Sequence, residues 1–162
     1  MKKVLVTGGS GFIGTNLVEY YKSTGWDVTN FDINKPRNID HLAVWRELDL
    51  LDQEKLTSAI AEVSPDIVFH MAARTDLDGS DVCDYDVNTK GVSNLINALN
   101  TLDNLKSVVF ASSMLVCKLG YIPSNENDYC ADTAYGQSKV VGEKIIRSSA
   151  LLFPWIIVRP TS

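Results

Sequence analysis

A glycine-rich segment near the N-terminus has the composition of a phosphate-binding loop. Gly8, Gly11 and Gly14 recur every three residues, between an apolar run at residues 4–6 and a helical pattern. Glycine lets the backbone approach a pyrophosphate closely, and the N-terminus of the following helix offers free N–H groups and the positive end of a dipole. The segment therefore predicts a dinucleotide-binding loop, and a plain glycine turn is the alternative.

Asp32 stands where an acidic residue can bind the ribose of such a ligand. It closes a second predicted strand, residues 27–32, and follows Gly14 by 18 positions (32 minus 14). A carboxylate there accepts hydrogen bonds from the adenosine ribose hydroxyls and repels a 2′-phosphate. We therefore expect NAD rather than NADP, with Lys35 and Arg37 near enough to soften the preference. A surface aspartate is the alternative.

Three further side chains could transfer a proton. Tyr135 and Lys139 are four residues apart, which places them on one face of a predicted helix. A phenol with a pKa near ~10 becomes a base near neutral pH only if nearby positive charge stabilises the phenolate. Ser113, at the end of a predicted strand, could bind a substrate hydroxyl while Tyr135 takes or returns its proton. The alternatives are an exposed helical pair and, for Ser113, a helix cap or turn residue.

The elements that must position these residues alternate along the chain. Apolar strands are predicted at residues 4–6, 27–32, 45–48, 67–69, 108–110 and 155–158, and helices after residue 12, around 56–63, at 85–102 and at 135–149. A long irregular stretch, 118–133, precedes the last helix. Strands alternating with amphipathic helices predict βαβ units, and hence an α/β fold with a doubly wound parallel sheet.

Composition excludes several classes of protein. The chain has 162 residues, of which 45% are apolar, so we expect a single domain over residues 1–162. Its net charge of -5 argues against nucleic acid or an anionic membrane surface as the main partner. No stretch approaches the length of a membrane span. Cys83, Cys117 and Cys130 lack metal-ligand spacing, and their odd number fits reduced thiols in a cytoplasmic protein.

Several other polar residues favour structural roles. His70 ends a strand and is expected to be a structural polar group, and Arg74 and Arg159 are as compatible with ion pairs as with binding substrate phosphates. Aspartates crowd residues 76–86 without the glycine and terminal glutamate of a calcium loop. We therefore predict no metal site.

Together these motifs resemble the NAD-dependent epimerase/dehydratase family of extended short-chain dehydrogenases. The resemblance extends over essentially the whole chain, and the motifs occur in the order that is typical of the family. They are residues 7–14, Asp32, the pair Asp49-Leu50, residues 70–73 (His-Met-Ala-Ala), Ser112-Ser113 and residues 135–139.

The resemblance implies a Rossmann fold with a cofactor site drawn from several parts of the chain. The glycine segment would approach the pyrophosphate, and Asp32 the adenosine ribose. Asp49 and Leu50 would flank the adenine, residues 71–73 would line the path to the nicotinamide, and Asn88 matches a helix asparagine that supports the active site. The cofactor-binding residues predicted in this way are Gly8, Gly11, Phe12, Ile13, Gly14, Asp32, Asp49, Leu50, Met71, Ala72, Ala73, Asn88, Tyr135 and Lys139.

The resemblance also implies a reaction. Tyr135 would be the acid/base, Lys139 would hold the nicotinamide ribose, and Ser113 would orient the substrate. The implied substrate is a nucleoside-diphosphate sugar, oxidised at a hydroxyl and then either re-reduced, as in an epimerase, or released, as in a dehydrogenase. A reductase of a small carbonyl compound and a non-catalytic dinucleotide-sensing protein stay open as alternatives.

The chain departs from the family pattern at three places. Met114 and Leu115 stand where sugar 4,6-dehydratases carry an Asp-Glu pair, so dehydration is not expected. Cys117 and Lys118 follow Val116 where family members often have Tyr-Gly, which affects substrate contacts more than cofactor binding. Residues 159–162 match the point where family members continue into a substrate-binding C-terminal region. We therefore expect a truncated chain that lacks this region and turns over sugar poorly by itself.

The resemblance finally implies a homodimer, because family members commonly pair through the two long helices that here contain Asn88 and Tyr135. No nucleic acid or membrane partner is expected.

Overall fold

The computed structural model describes residues 1–161, which form one parallel sheet with helices on both faces. The strands are β1 (Lys3–Thr7), β2 (Asp27–Asp32), β3 (Trp45–Glu47), β4 (Ile67–His70), β5 (Ser107–Ala111) and β6 (Trp155–Val158). The helices are α1 (Phe12–Ser23), α2 (Gln53–Val63), α3 (Asp86–Leu99) and α4 (Ala134–Ser148). Short 3-10 turns lie at Ile39–Val44, Val82–Tyr85 and Met114–Val116.

The order of the strands confirms the predicted doubly wound Rossmann fold. The sheet runs β3-β2-β1-β4-β5-β6, and every pairing is parallel. The winding direction reverses between the neighbours β1 and β4, whose last residues, Thr7 and His70, are in register. Loops that leave two such strands diverge, which opens a crevice at their carboxyl ends.

Alternating side chains of the central strands fill two cores. Leu5, Val68 and Val108 pack with α2, α3 and α4 in the larger core. Val4 and Val6 point to the opposite face and pack with Val18 of α1 in the smaller one. Both faces of β1 are therefore covered, which explains why its sequence is an unbroken apolar run.

The helix predicted over residues 85–102 is shorter at both ends than the pattern suggested. Asp81 and Asp84 form a capping box around the Val82–Tyr85 turn, and this turn occupies the segment just before α3. The helix itself runs Asp86–Leu99, and the apolar residues just beyond it lie in a turn. Local hydrogen bonds, rather than hydrophobic periodicity, set these boundaries.

The helix that carries the predicted acid/base begins at a polar cap. The Thr133 hydroxyl accepts a hydrogen bond from the Gly136 N–H at 3.0 Å, and α4 then runs Ala134–Ser148. The predicted bounds, 135–149, are therefore shifted by one residue. Because Thr133 fixes the first turn, it also fixes the place of Tyr135.

Within residues 1–161, no helix is both long enough and apolar enough to span a membrane. The same residues contain no group of three or more His, Cys, Asp or Glu side chains arranged to hold a metal ion. The crowded aspartates instead bind their neighbours: Asp84 accepts from the N–H groups of Ser80 and Asp81, and Asp86 pairs with Lys90.

Candidate cofactor and active site

An open cleft of about 570 Å³ lies at the carboxyl ends of β1, β2, β4 and β5. It occupies the crevice that the reversal in strand order creates. Among the predicted cofactor residues, those that line it are Gly8, Gly11, Phe12, Ile13, Gly14, Asp32, Asp49, Leu50, Met71, Ala72 and Ala73. Asn88, Tyr135 and Lys139 are not among the lining residues.

At Gly8 and Gly14, the glycine loop leaves no room for a side chain because neighbouring backbone atoms lie too close. Gly8 has a φ of +72°, and a Cβ atom there would lie 2.5 Å from the backbone nitrogen of Ala72, which follows β4. A Cβ atom at Gly14 would overlap the carbonyl oxygen of Gly8. Since only glycine fits both positions, α1 can begin directly beside the loop.

The first turn of α1 is free to bind an anion. The helix begins at Phe12 with Gly11 as its N-cap, and no side chain caps its N–H groups. The first N–H groups of a helix have no partner within the helix, and they carry the positive end of its dipole. This cradle fits a pyrophosphate, which is the group that a dinucleotide would place there.

Asp32 is held by backbone at both carboxylate oxygens. Its Oδ2 accepts from the Ser10 N–H at 3.0 Å, and its Oδ1 accepts from the Asn34 N–H at 2.8 Å. Each oxygen keeps lone-pair capacity for a further donor. The carboxylate is therefore fixed beside the glycine loop, with room to accept hydrogen bonds from a ribose.

The cleft wall near Asp32 contains residues that the sequence analysis did not select. Ile33 and Leu51 line it with 62% and 42% of their surfaces exposed, and Ser10 and Asn34 line it as well. Ile33 and Leu51 directly follow Asp32 and the Asp49-Leu50 pair. This adjacency in sequence could have identified both residues, because a chain segment that leaves the carboxyl end of a strand enters the crevice.

Tyr135 and Ser113 lie together beyond the cleft wall. Tyr135 is 8% exposed, and burial raises the pKa of its hydroxyl, an effect that a hydrogen bond with Ser113 opposes. The direction is opposite to the lowering that a general base requires. The Lys139 ammonium, which could lower the pKa, donates to the Ala111 carbonyl. Ser113 also caps the Met114–Val116 turn, accepting from the Leu115 N–H at 3.1 Å. Ser113 therefore caps a turn, as one of the alternatives from the sequence proposed, and its hydroxyl also lies beside that of Tyr135.

Lys139 is buried between the strand ends and the helix. Its Nζ donates to the carbonyl oxygen of Ala111, the last residue of β5, at 2.9 Å. Burial lowers the pKa of Lys139 to about 8, and the negative charge of Glu143 opposes the change. Ala111 also lines the cleft. The ammonium therefore lies directly behind the part of the cleft wall that Ala111 forms.

His70 does not have the properties of a general acid. Its Nδ1 shares a 2.7 Å hydrogen bond with the Thr7 hydroxyl in the neighbouring strand. Burial and the positive charge of Lys139 lower the pKa of His70 to about 3, so the ring is neutral at neutral pH. This agrees with the structural role expected from the sequence.

Asn88 lies behind the cleft instead of lining it. Its Oδ1 accepts from the Arg74 N–H at 3.0 Å, and its Nδ2 donates to the Arg74 carbonyl at 2.9 Å and to Ser138 Oγ at 3.0 Å. Asn88 thus supports the segment after Ala73 and joins α3 to α4. The Arg74 guanidinium pairs with Asp76 and donates to the Asp84 carbonyl, so it is already engaged.

Glu143 is a functional candidate that the sequence analysis missed. It is 1% exposed and accepts a two-pronged hydrogen bond from Arg159, at 2.8 and 2.7 Å, and one from the Tyr129 hydroxyl at 3.0 Å. Burial raises the pKa of Glu143, but the hydrogen bonds, chiefly that of Arg159, outweigh it and the net shift is downward. Its spacing from Lys139, again four residues, was the available signal.

Comparison with known proteins identifies the family. The family model described as the NAD dependent epimerase/dehydratase family matches residues 4–162. The UDP-glucose 4-epimerase of Mycoplasma pneumoniae is 33% identical, and the match covers 90% of this chain and 47% of that protein. The 3-beta-hydroxysteroid dehydrogenase of Mycolicibacterium neoaurum is 31% identical, and the match covers 89% of this chain and 42% of that protein.

Solved structures agree with the sequence comparison. The UDP-glucose 4-epimerase of Thermus thermophilus, crystallised as a complex with NAD, is 29% identical with a TM-score of 0.79, and the match covers 97% of this chain and 54% of that one. The chain spans about half the length of the curated relatives it matches. The chain belongs to the NAD dependent epimerase/dehydratase family, which confirms NAD as the predicted cofactor.

Proposed function

We propose that the chain binds NAD in the cleft, with the pyrophosphate on the first turn of α1 and the adenosine ribose on Asp32. The observation that carries this proposal is the Asp32 carboxylate, held at both oxygens by backbone N–H groups beside a loop where only glycine fits. Asp49 and Leu50 flank the adenine, and residues 71–73 lead toward the nicotinamide end, near Ala111.

Catalysis belongs to the end of the cleft where β5 meets α4. When bound, NAD supplies the acceptor for a hydride. Ser113 donates a hydrogen bond to a substrate hydroxyl oxygen, and Tyr135 takes the proton of that hydroxyl. Lys139 holds the nicotinamide ribose. Two contacts support this division of roles. The Lys139 ammonium donates to the carbonyl of Ala111, which lines the cleft, and Tyr135 lies beside Ser113.

The substrate we propose is a nucleoside-diphosphate sugar, oxidised at a hydroxyl by an epimerase or a dehydrogenase. The epimerase relatives support it. A second candidate is reduction of a small carbonyl compound, which the hydroxysteroid dehydrogenase relative favours. The chain retains Tyr135 and Lys139, which argues against a non-catalytic dinucleotide sensor.

Calorimetric titration of the 162-residue chain with NAD and, separately, NADP tests the cofactor site. NAD is expected to bind well ahead of NADP because Asp32 repels a 2′-phosphate. Asp32→Ala removes that preference. Asp27→Ala is the matched control, because Asp27 lies at the exposed opposite end of β2 and its loss changes net charge equally.

Failure of the native chain to bind either nucleotide would overturn the cofactor site, and so would an unchanged preference in Asp32→Ala. Once binding is established, Tyr135→Phe tests the chemistry. The variant is expected to bind NAD like the native chain and to lose the slow NADH formation that the native chain is expected to show with a panel of nucleotide sugars and simple alcohols. The sugar that yields NADH or an epimer in the native chain identifies the substrate class.

The homodimer through α3 and α4 and the cytoplasmic location stay predictions. Sedimentation that shows only monomer at high concentration would contradict the first.

A further inference from the structure

Two cysteines face each other across the irregular segment that precedes α4. Cys117 and Cys130 are partners in an isolated parallel β-bridge. The Cys130 N–H donates to the Val116 carbonyl at 3.0 Å, and the Lys118 N–H donates to the Cys130 carbonyl at 2.7 Å. The bridge therefore joins the two ends of the loop formed by residues 118–129 into a closed ring.

The backbone spacing of this bridge suits a disulfide. Paired strands lie ~4.8 Å apart, and the Cα atoms of disulfide-bonded cysteines are usually ~4.4–6.8 Å apart. Side chains of directly paired residues project to the same face of a ladder. Because the bridge stands alone, outside the main sheet, the small approach of the two Cβ atoms that a disulfide needs displaces no further ladder pairs.

The Cys117 thiol is directed toward the segment that carries Cys130. The Cys117 S–H donates to the carbonyl of Asp128, two residues before Cys130, at 3.5 Å. Both thiols are free in the described chain, with Cys117 buried and Cys130 half-buried.

We propose that Cys117 and Cys130 form a reversible intramolecular disulfide by exchange with a small-molecule disulfide such as oxidised glutathione. Cys130 is the more accessible thiol, so its thiolate attacks one sulfur of the oxidant and one glutathione leaves as a thiolate. The Cys117 thiolate then attacks the Cys130 sulfur of the mixed disulfide, and the second glutathione leaves. Two protein thiols are oxidised, and one disulfide is reduced to two thiols.

The consequence of the disulfide falls on the approach to the active site. The closed ring begins directly after the turn that Ser113 caps and ends three residues before Thr133, the N-cap of α4. Closing the ring restricts this segment in the unfolded chain. It also links the chain that follows Ser113 covalently to the chain that precedes Tyr135. The formation of the disulfide does not depend on the proposed function, whereas its consequence for the active site rests on that function.

Peptide mapping tests the proposal, because trypsin separates the three cysteines. Cys117 falls on the peptide 107–118, Cys130 on 119–139 and Cys83 on 75–90. The native chain is incubated with oxidised glutathione, the remaining thiols are blocked, and the digest is analysed without reduction. The expected product is peptide 107–118 linked to 119–139, with Cys83 free or carrying glutathione. Dithiothreitol should reverse it.

Matched variants and an unfolded control complete the experiment. Cys83→Ser should form the linked pair like the native chain, whereas Cys117→Ala and Cys130→Ser should not form it. Circular dichroism checks that each variant folds. In urea the same oxidant is expected to produce mixed pairings. Separate glutathione adducts on Cys117 and Cys130, links that involve Cys83, or no oxidation of the folded chain would each overturn the proposal.

Discussion

At the residue scale, the cleft depends on positions where a side chain of any kind conflicts with the backbone. Gly8 combines a left-handed φ with contact against the Ala72 backbone, whereas Gly25 has a similar φ of +76° in open space. The two glycines therefore separate the cost of backbone conformation from the cost of close approach.

Gly8→Ala is expected to lower the free energy of unfolding by about 2–4 kcal/mol and to abolish NAD binding, since the added methyl group pushes the β1 and β4 loops apart. Gly25→Ala should cost about 1 kcal/mol from conformation alone and leave NAD affinity unchanged. Chemical denaturation and calorimetry measure both quantities. Equal losses in the two variants would contradict the close-approach argument.

Lys139 is an ionisable residue that the fold buries at a cost in stability. Burial places its pKa at about 8, below the ordinary value of 10.5. Between those pH values the unfolded chain binds the proton and the folded chain does not, so the contribution of Lys139 to stability rises as pH increases from 8 toward 10.5.

Lys139→Met is therefore expected to raise the free energy of unfolding at neutral pH, by about 1–3 kcal/mol, while weakening NAD binding. Its stability should also lack the rise above pH 8 that the native chain shows. Denaturation at a series of pH values measures the difference between the two proteins. A variant less stable than the native chain at neutral pH would show that the hydrogen bond to Ala111 outweighs the burial of the charge.

At the element scale, α4 carries Tyr135, Lys139 and Glu143 on one face, and contacts hold its start and its second half in place. Thr133 caps its start, and Glu143, a turn below Lys139, binds Arg159 at the end of β6 and Tyr129 in the preceding loop. The register of Tyr135 and Lys139 against the strand ends therefore depends on a buried ion pair that touches neither the cleft nor the glycine loop.

Glu143→Gln is expected to lower the free energy of unfolding by about 2–4 kcal/mol, because it leaves the Arg159 guanidinium half-buried without a carboxylate. A double-mutant cycle with Arg159→Gln should give a coupling energy above ~1 kcal/mol. The exposed pair Asp86–Lys90 is the matched control and should give ~0.5 kcal/mol or less. Similar coupling in the two cycles would contradict the structural role of Glu143.

At the scale of the whole molecule, stability in mild acid is linked to the centre of the sheet. His70 joins β4 to β1 through Thr7, at the point where strand order reverses. Its pKa is about 3 in the folded chain against 6.5 ordinarily, so between those values protons favour the unfolded state.

The free energy of unfolding is accordingly expected to fall as pH decreases below 6.5, by up to ~1.4 kcal/mol per pH unit. His70→Asn keeps a partner for Thr7 without a titrating ring, and its stability should change less between pH 6.5 and 5. Thermal unfolding of both proteins across that range provides the measurement. Parallel curves would show that His70 does not control acid sensitivity.

The sequence predicted the fold and most of the cleft because both follow from local patterns. Strand bounds such as 27–32 were predicted directly, since apolar runs and turn residues mark them. The helix predicted at 85–102 was too long because the Asp81–Asp84 capping box and the turn after Leu99 depend on hydrogen bonds that periodicity does not register. Gly8, Asp32 and residues 71–73 could be placed together because parallel strands bring their carboxyl ends to one edge.

Only the tertiary structure decided how the polar groups are paired. By itself, the sequence determined a doubly wound sheet, a glycine loop and an acidic residue at the end of β2, because these depend on residue type and spacing along the chain. The engagement of Asn88 with the Arg74 backbone, the hydrogen bond of Lys139 to Ala111, the raised pKa of Tyr135 and the Glu143–Arg159 pair depend on contacts between distant segments. Burial and partner geometry set those properties, and neither is determined by local sequence.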